Sequence, residues 1–196
     1  MGDMKFISDE RPGAAANRTV RRIVVSAIIG AVYDAVTMLL APISYGPIQF
    51  RLSEAMCILP FFVPATSAGL FIGCAISNLI STAGILDIVF GPIATLLAAL
   101  CTARLGRKYR ETGVMPGVWT CVAACAMPVI FNGPIIGAVL AYTATAGAYG
   151  DAFLINFAVM SGEVALGEAA VMMVVGLPLM RNLPRLKIIR EFLANL

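Results

Sequence analysis

The chain has 196 residues, 60% of them hydrophobic and only 13% charged, with a formal net charge of +3 and no histidine. So little charge cannot cover the surface of a water-soluble domain of this size, which leaves an integral membrane protein. The small positive balance gives no basis for a nucleic-acid partner.

Residues 1–20 are polar and carry both signs of charge, and read as a cytoplasmic tail. The apolar run that follows has full transmembrane length, unlike the short core of a signal peptide. Met1-Gly2 is followed by Phe6 where a myristoylation signal needs Ser or Thr. A membrane domain is expected over 21–182 and a second cytoplasmic tail over 183–196.

Within that domain the apolar runs cover 23–41, 52–63, 65–80, 88–105, 117–142 and 152–180. They are long and continuous, which argues against the short alternating segments of a membrane barrel. The expected fold is an all-α integral membrane protein, a six-transmembrane-helix bundle with both termini cytoplasmic. The stretch 42–50 holds two prolines and a glycine and reads as a loop; the fifth run is expected to be interrupted at Pro128 and Pro134.

The basic residues test the topology independently, because Lys and Arg accumulate in cytoplasmic loops. Lys5, Arg11, Arg18, Arg21 and Arg22 precede the first run; Arg104, Arg107, Lys108 and Arg110 follow the fourth; Arg181, Arg185, Lys187 and Arg190 follow the sixth. Six crossings place all of these on one face and leave Arg51 alone on the other. The outward loops carry Asp87 and Asp151, with Glu54 nearby. They form either a mildly acidic vestibule or simply a face from which positive charge is excluded.

Polar groups at bilayer depth cost a few kcal/mol and are kept mostly for function or helix contacts. Gln49, Arg51 and Glu54 open the second run, and Arg51 and Glu54, three apart, share a face and are able to pair. Asn78 ends the third run, Asn132 lies in "VIFNGPIIG" of the fifth, and Glu163 and Glu168 lie in the sixth. The two glutamates are separated by roughly 140° around a helix, so they do not face one point; Glu168 is the deeper candidate. The first run carries Ala27, Ala31 and Ala35 at four-residue spacing, a smooth stripe for close approach of another helix. Asp34, in the same run, has no assignable role.

The five cysteines, Cys57, Cys74, Cys101, Cys121 and Cys125, all lie in apolar runs and read as small hydrophobes. Without histidine, no metal-ligand cluster or base–nucleophile pair is visible, so neither a metal, a cofactor nor an enzyme is expected. No nucleotide-binding motif appears either, and six helices without an internal repeat are few for a self-sufficient transporter.

"YGPIQFRLSEAMCILPFF", "GLFIGCAISNL", "DIVFGPIATLLAAL", "VIFNGPIIG" and "ALGEAAVMMVVGLPLM" together resemble the QueT-type family over most of residues 24–181. The resemblance implies the substrate-binding (S) component of an energy-coupling factor importer in the plasma membrane, taking up a queuosine precursor, a 7-deazaguanine such as preQ1, preQ0 or queuine. It implies as partners a transmembrane coupling protein, docked on the stripe at Ala27 and Ala31, and two separate ATPases. Glu163 is an acid without a counterpart in that pattern. A 7-deazaguanine shows two N–H donors beside a carbonyl. Glu54 or Glu168 is the candidate to accept the donors, Gln49, Asn78 or Asn132 to donate to the carbonyl, and Tyr45, Phe50 or Phe61 to stack on the ring. An S component for another vitamin, or a stand-alone secondary transporter, are the competing readings.

Overall fold

The computed structural model describes residues 14–44, 49–81 and 84–185. Among these there is no strand, and six apolar helices build the bundle: α1 (Ala14–Leu39), α2 (Leu52–Phe62), α3 (Thr66–Ile80), α4 (Ile85–Leu105), α5 (Val118–Ala144) and α6 (Asp151–Arg185). They follow the apolar runs of the sequence closely. α1, α4, α5 and α6 are long and apolar enough to cross a membrane, whereas α2 and α3 are shorter. Pro64 separates α2 from α3, since it disfavours helical backbone at the residue before it. α1 begins at Ala14, inside the stretch expected as a tail. The rest of the expected tails, 1–13 and 186–196, lies outside the described residues.

The expected interruption of α5 is not found. Val118–Ala144 is one helix with Pro128 and Pro134 inside it. A proline removes the N–H that would bond the carbonyl four residues earlier, so Pro128 leaves the carbonyl of Ala124 without its helical donor. Thr102 of α4 supplies one: its hydroxyl donates to that carbonyl at 3.3 Å. The neighbouring helix thus satisfies the freed group, which lets an apolar helix keep its proline. The irregular turn lies instead in α6, where Met172–Gly176 is π-helical just ahead of Pro178.

α1 and α3 meet through small residues. A Cβ at Gly69 would overlap the carbonyl of Ser26, one at Gly30 would meet the carbonyl of Gly69, and one at Gly73 the carbonyl of Gly30. The backbones therefore touch, as is usual where membrane helices pack closely. At one end of the bundle Phe61 and Phe62 pack on Tyr109, with ring centroids 5.9 and 5.4 Å away. There the Arg110 guanidinium donates to the Phe61 carbonyl at 2.7 Å, capping the C-terminal end of α2. Arg51, Asn78 and Asp87 gather toward the opposite end.

Candidate functional site

The first seven residues of α2, Leu52–Ile58, are wound as a 3₁₀-helix. Three residues per turn eclipse side chains at i and i+3. Arg51, Glu54 and Cys57 therefore line one edge, and Cys57 sits directly beside the Glu54 carboxylate, Sγ to Oε2 3.0 Å. The other carboxylate oxygen, Oε1, accepts the Tyr33 hydroxyl of α1 at 2.5 Å and the Thr95 hydroxyl of α4 at 3.1 Å. Beside them the Thr37 hydroxyl lies 2.6 Å from that of Ser53 and 2.8 Å from the Tyr33 carbonyl. Glu54 is completely buried, and three donors from three helices hold it. That is a joint between helices.

Arg51 reaches across to α4, where its Nη2 pairs with Asp87 Oδ2 at 3.3 Å. Ser81 donates to the same oxygen at 2.5 Å, and the Asn78 side-chain amide donates to the Asp87 main-chain carbonyl at 2.9 Å. Gly91 makes room for that amide, since a Cβ there would overlap it. Asp87 is buried and paired, so the reading of a free acid on an outward vestibule is corrected for this residue; Asp151 is exposed on the first turn of α6.

The second pair is built differently. Asn132, midway along α5, donates from Nδ2 to Glu168 Oε1 of α6 at 3.0 Å. Both residues are 2% exposed. Their remaining oxygens, Asn132 Oδ1 and Glu168 Oε2, are buried and have no hydrogen-bond partner among the described residues. Two buried acceptors without donors are costly in an apolar interior unless donors reach them. The main chain at Gln49 packs on α6 one residue before Glu168: a Cβ on Gly167 would overlap the Gln49 carbonyl, so only glycine lets this segment lie against the helix there. Gln49 itself is buried. Glu54 and Arg51 are both within electrostatic reach of Glu168, so the two clusters adjoin.

The structure thus brings Asn132 and Glu168 together and packs the Gln49 main chain on the neighbouring Gly167, with Arg51 and Glu54 adjoining and Asn78 placed at the α3–α4 junction. Glu163 is half-buried five residues earlier on α6, with no hydrogen-bond or ion-pair partner among the described residues. Phe61 is buried in the aromatic cluster at the far end of α2, away from this site; Phe50 is partly exposed and Tyr45 lies outside the described residues. Sequence reasoning missed Tyr33, Thr95, Cys57 and Asp87. Ser26, Gly30, Tyr33 and Thr37 follow one another at three- and four-residue steps, and that face of α1 was a readable signal.

Ala27, Ala31 and Ala35 are exposed. The contact between α1 and α3 uses the adjacent Ser26–Gly30 face instead. Ala27, Ala31 and Asp34 line an open groove of about 690 Å³ with Ala68, Ile72 and Ile76.

The family model of the QueT transporter matches residues 23–185. The chain belongs to the QueT transporter family. All the residues of the two clusters fall inside the matched range. A queuosine precursor transporter QueT of Lactococcus lactis subsp. cremoris (strain MG1363) is 38% identical over 91 residues, which are 45% of this chain and 53% of that protein. The chain thus spans about half the length of this curated relative. No solved structure matches it.

Proposed function

We propose that this chain is the substrate-binding subunit of an energy-coupling factor importer and takes a queuosine precursor from outside the cell. The observation that carries this reading is the buried Asn132–Glu168 pair, whose Oδ1 and Oε2 are acceptors without a partner among the described residues, the latter on a helix against which the main chain at Gln49 packs. A 7-deazaguanine presents two adjacent N–H donors, which these two acceptors take, and its ring carbonyl accepts from the Gln49 amide. The name of the Lactococcus relative supports the substrate class. Glu54, already held by three donors, keeps α1, α2 and α4 in place around the site, and Arg51 with Asp87 fixes the entry to α2. Asn78 braces α4 from behind. Glu163 lines a wall.

In this reading the six helices cross the plasma membrane, the shorter α2 and α3 included, with both termini cytoplasmic. Its support is the distribution of basic residues, with Arg51 alone at the end opposite Arg104, Arg107, Lys108 and Arg110. The exposed alanines at 27, 31 and 35 are the docking stripe for a transmembrane coupling protein, and two partner ATPases supply the energy.

The test is calorimetric titration of the purified chain with 7-deazaguanines, without ATP. Binding is expected for the wild type. Glu168→Gln and Asn132→Leu are expected to lose about 1–3 kcal/mol each, the cost of an unmet buried donor. Unchanged affinity in both variants overturns the site. Tighter binding of an unrelated vitamin overturns the substrate. Uptake by liposomes that hold this chain alone favours a secondary transporter.

A further inference from the structure

The bundle has a second polar pocket, at the end opposite Arg51. It encloses about 280 Å³ between the segment that joins α4 to α5 and the end of α6, lined by Tyr109, Gly113, Met115, Pro116, Arg181, Pro184 and Arg185. Two guanidinium groups line it, and among the described residues no carboxylate does. Among the described residues Arg181 has no ion-pair or hydrogen-bond partner, and Arg185 has only the Asn182 side-chain oxygen at 3.4 Å. Arg181 and Arg185 are exposed residues that line this pocket, and the Arg181 charge lies close enough to the start of α5 to act on Cys121. The first turn of α5 adjoins the pocket and carries neither an acid nor a side-chain cap. The field there is positive from both sources.

The position of the pocket indicates what kind of anion it takes. Trp119, beside it on the first turn of α5, is 84% exposed, and Val114 is 69% exposed. An exposed tryptophan at the end of an apolar helix marks the headgroup level of a membrane. Arginine forks match phosphate oxygens in pairs, and basic pockets between membrane helices hold lipid headgroups. We propose that this pocket seats the phosphate of an anionic phospholipid, with Arg181 and Arg185 as its ligands and the acyl chains running outward past Trp119. The lipid is a fixed part of the subunit and ties the end of α6 to the loop before α5.

The test is native mass spectrometry of the full chain in zwitterionic detergent, titrated with dioleoyl phosphatidylglycerol or dioleoyl phosphatidylcholine. One phosphatidylglycerol adduct is expected to persist in preference to phosphatidylcholine. Each arginine contributes roughly fivefold, so Arg181→Gln with Arg185→Gln is expected to weaken retention roughly 30-fold. Arg104→Gln, an exposed charge at the same end of the bundle, is expected to retain the lipid. Arg181→Lys, which keeps the charge and loses the fork, falls between wild type and Gln. Circular dichroism confirms that each variant keeps its helicity. Equal retention of the two lipids, an unaffected double variant, or equal loss in Arg104→Gln overturns the proposal. Displacement of the lipid by inorganic phosphate at low millimolar concentration makes this a free-phosphate site and also overturns it.

Discussion

The hydroxyl of Thr102 on α4 donates to the carbonyl of Ala124 on α5, the group that Pro128 leaves without a helical donor. One residue creates the deficit and another, on a different helix, repairs it. Thr102 is fully buried, so water is not available in its place. Thr102→Val keeps the shape and removes the donor. It is expected to cost about 1–2 kcal/mol, the penalty of an unmet buried acceptor. In a Pro128→Ala background the main-chain N–H returns and the same substitution becomes close to neutral. Thermal unfolding of the four proteins in detergent closes a double-mutant cycle; equal effects of Thr102→Val in both backgrounds would show that the hydroxyl does not serve the proline.

Glu54 and Glu168 make contrasting predictions although both are buried acids. Every described bond to Glu54 comes from inside the bundle, from Tyr33, Thr95 and Cys57. Glu54→Leu removes the acceptor for three buried donors and is expected to destabilise the chain by about 3 kcal/mol or more. Tyr33→Phe and Thr95→Val remove one donor each, at about 1 kcal/mol. These variants lower the melting temperature, and those that stay folded retain affinity for the precursor. Glu168→Gln is expected to do the reverse, since one of its oxygens has no donor to lose among the described residues. A melting temperature that falls more in Glu168→Gln than in Glu54→Leu would exchange the two roles.

The course of the helices was legible in the sequence because hydropathy and proline punctuate this chain strongly. The pairing of its polar groups was not. Arg51 and Glu54 share an edge as expected, but the 3₁₀ turn places Cys57 there too, while Arg51 reaches the first turn of α4 to meet Asp87. No local spacing announces a partner 36 residues away. Asn78 illustrates the same gap: its side chain braces the Asp87 carbonyl, which depends on a glycine at 91 that only the packed structure explains. The Asn132–Glu168 pair, by contrast, was visible as two polar groups at depth, and the structure added only that they meet.

α1 separates two kinds of small residue on adjoining faces. Gly69→Ala places a methyl group against the Ser26 carbonyl and is expected to push α3 from α1, with a loss of about 1–3 kcal/mol from overpacking. Ala27 and Ala31 face outward, so Ala27→Leu with Ala31→Leu is expected to leave the melting temperature and precursor binding within error. If the stripe docks a coupling protein as proposed, uptake is expected to be abolished in that variant. If the double leucine variant unfolds as readily as Gly69→Ala, the stripe belongs to the fold and the docking role is lost.

Gly167 links the loop to the site. Its α-carbon lies so close to the Gln49 carbonyl that a methyl group would overlap the main chain, which does not yield as a flexible side chain does. Gly167→Ala must therefore move the segment at Gln49 away from α6, one residue from Glu168. Gly162 on the same helix has open space around it, so Gly162→Ala is expected to stabilise α6 by up to about 1 kcal/mol through helix propensity alone. The pair separates local geometry from general effects on α6. Precursor affinity is expected to fall at least tenfold in Gly167→Ala, about 1.4 kcal/mol, and to stay unchanged in Gly162→Ala. Titration calorimetry at matched protein stability reads the difference. If Gly167→Ala binds as well as the wild type, the Gln49 segment does not help to hold the ligand over Glu168 and Asn132.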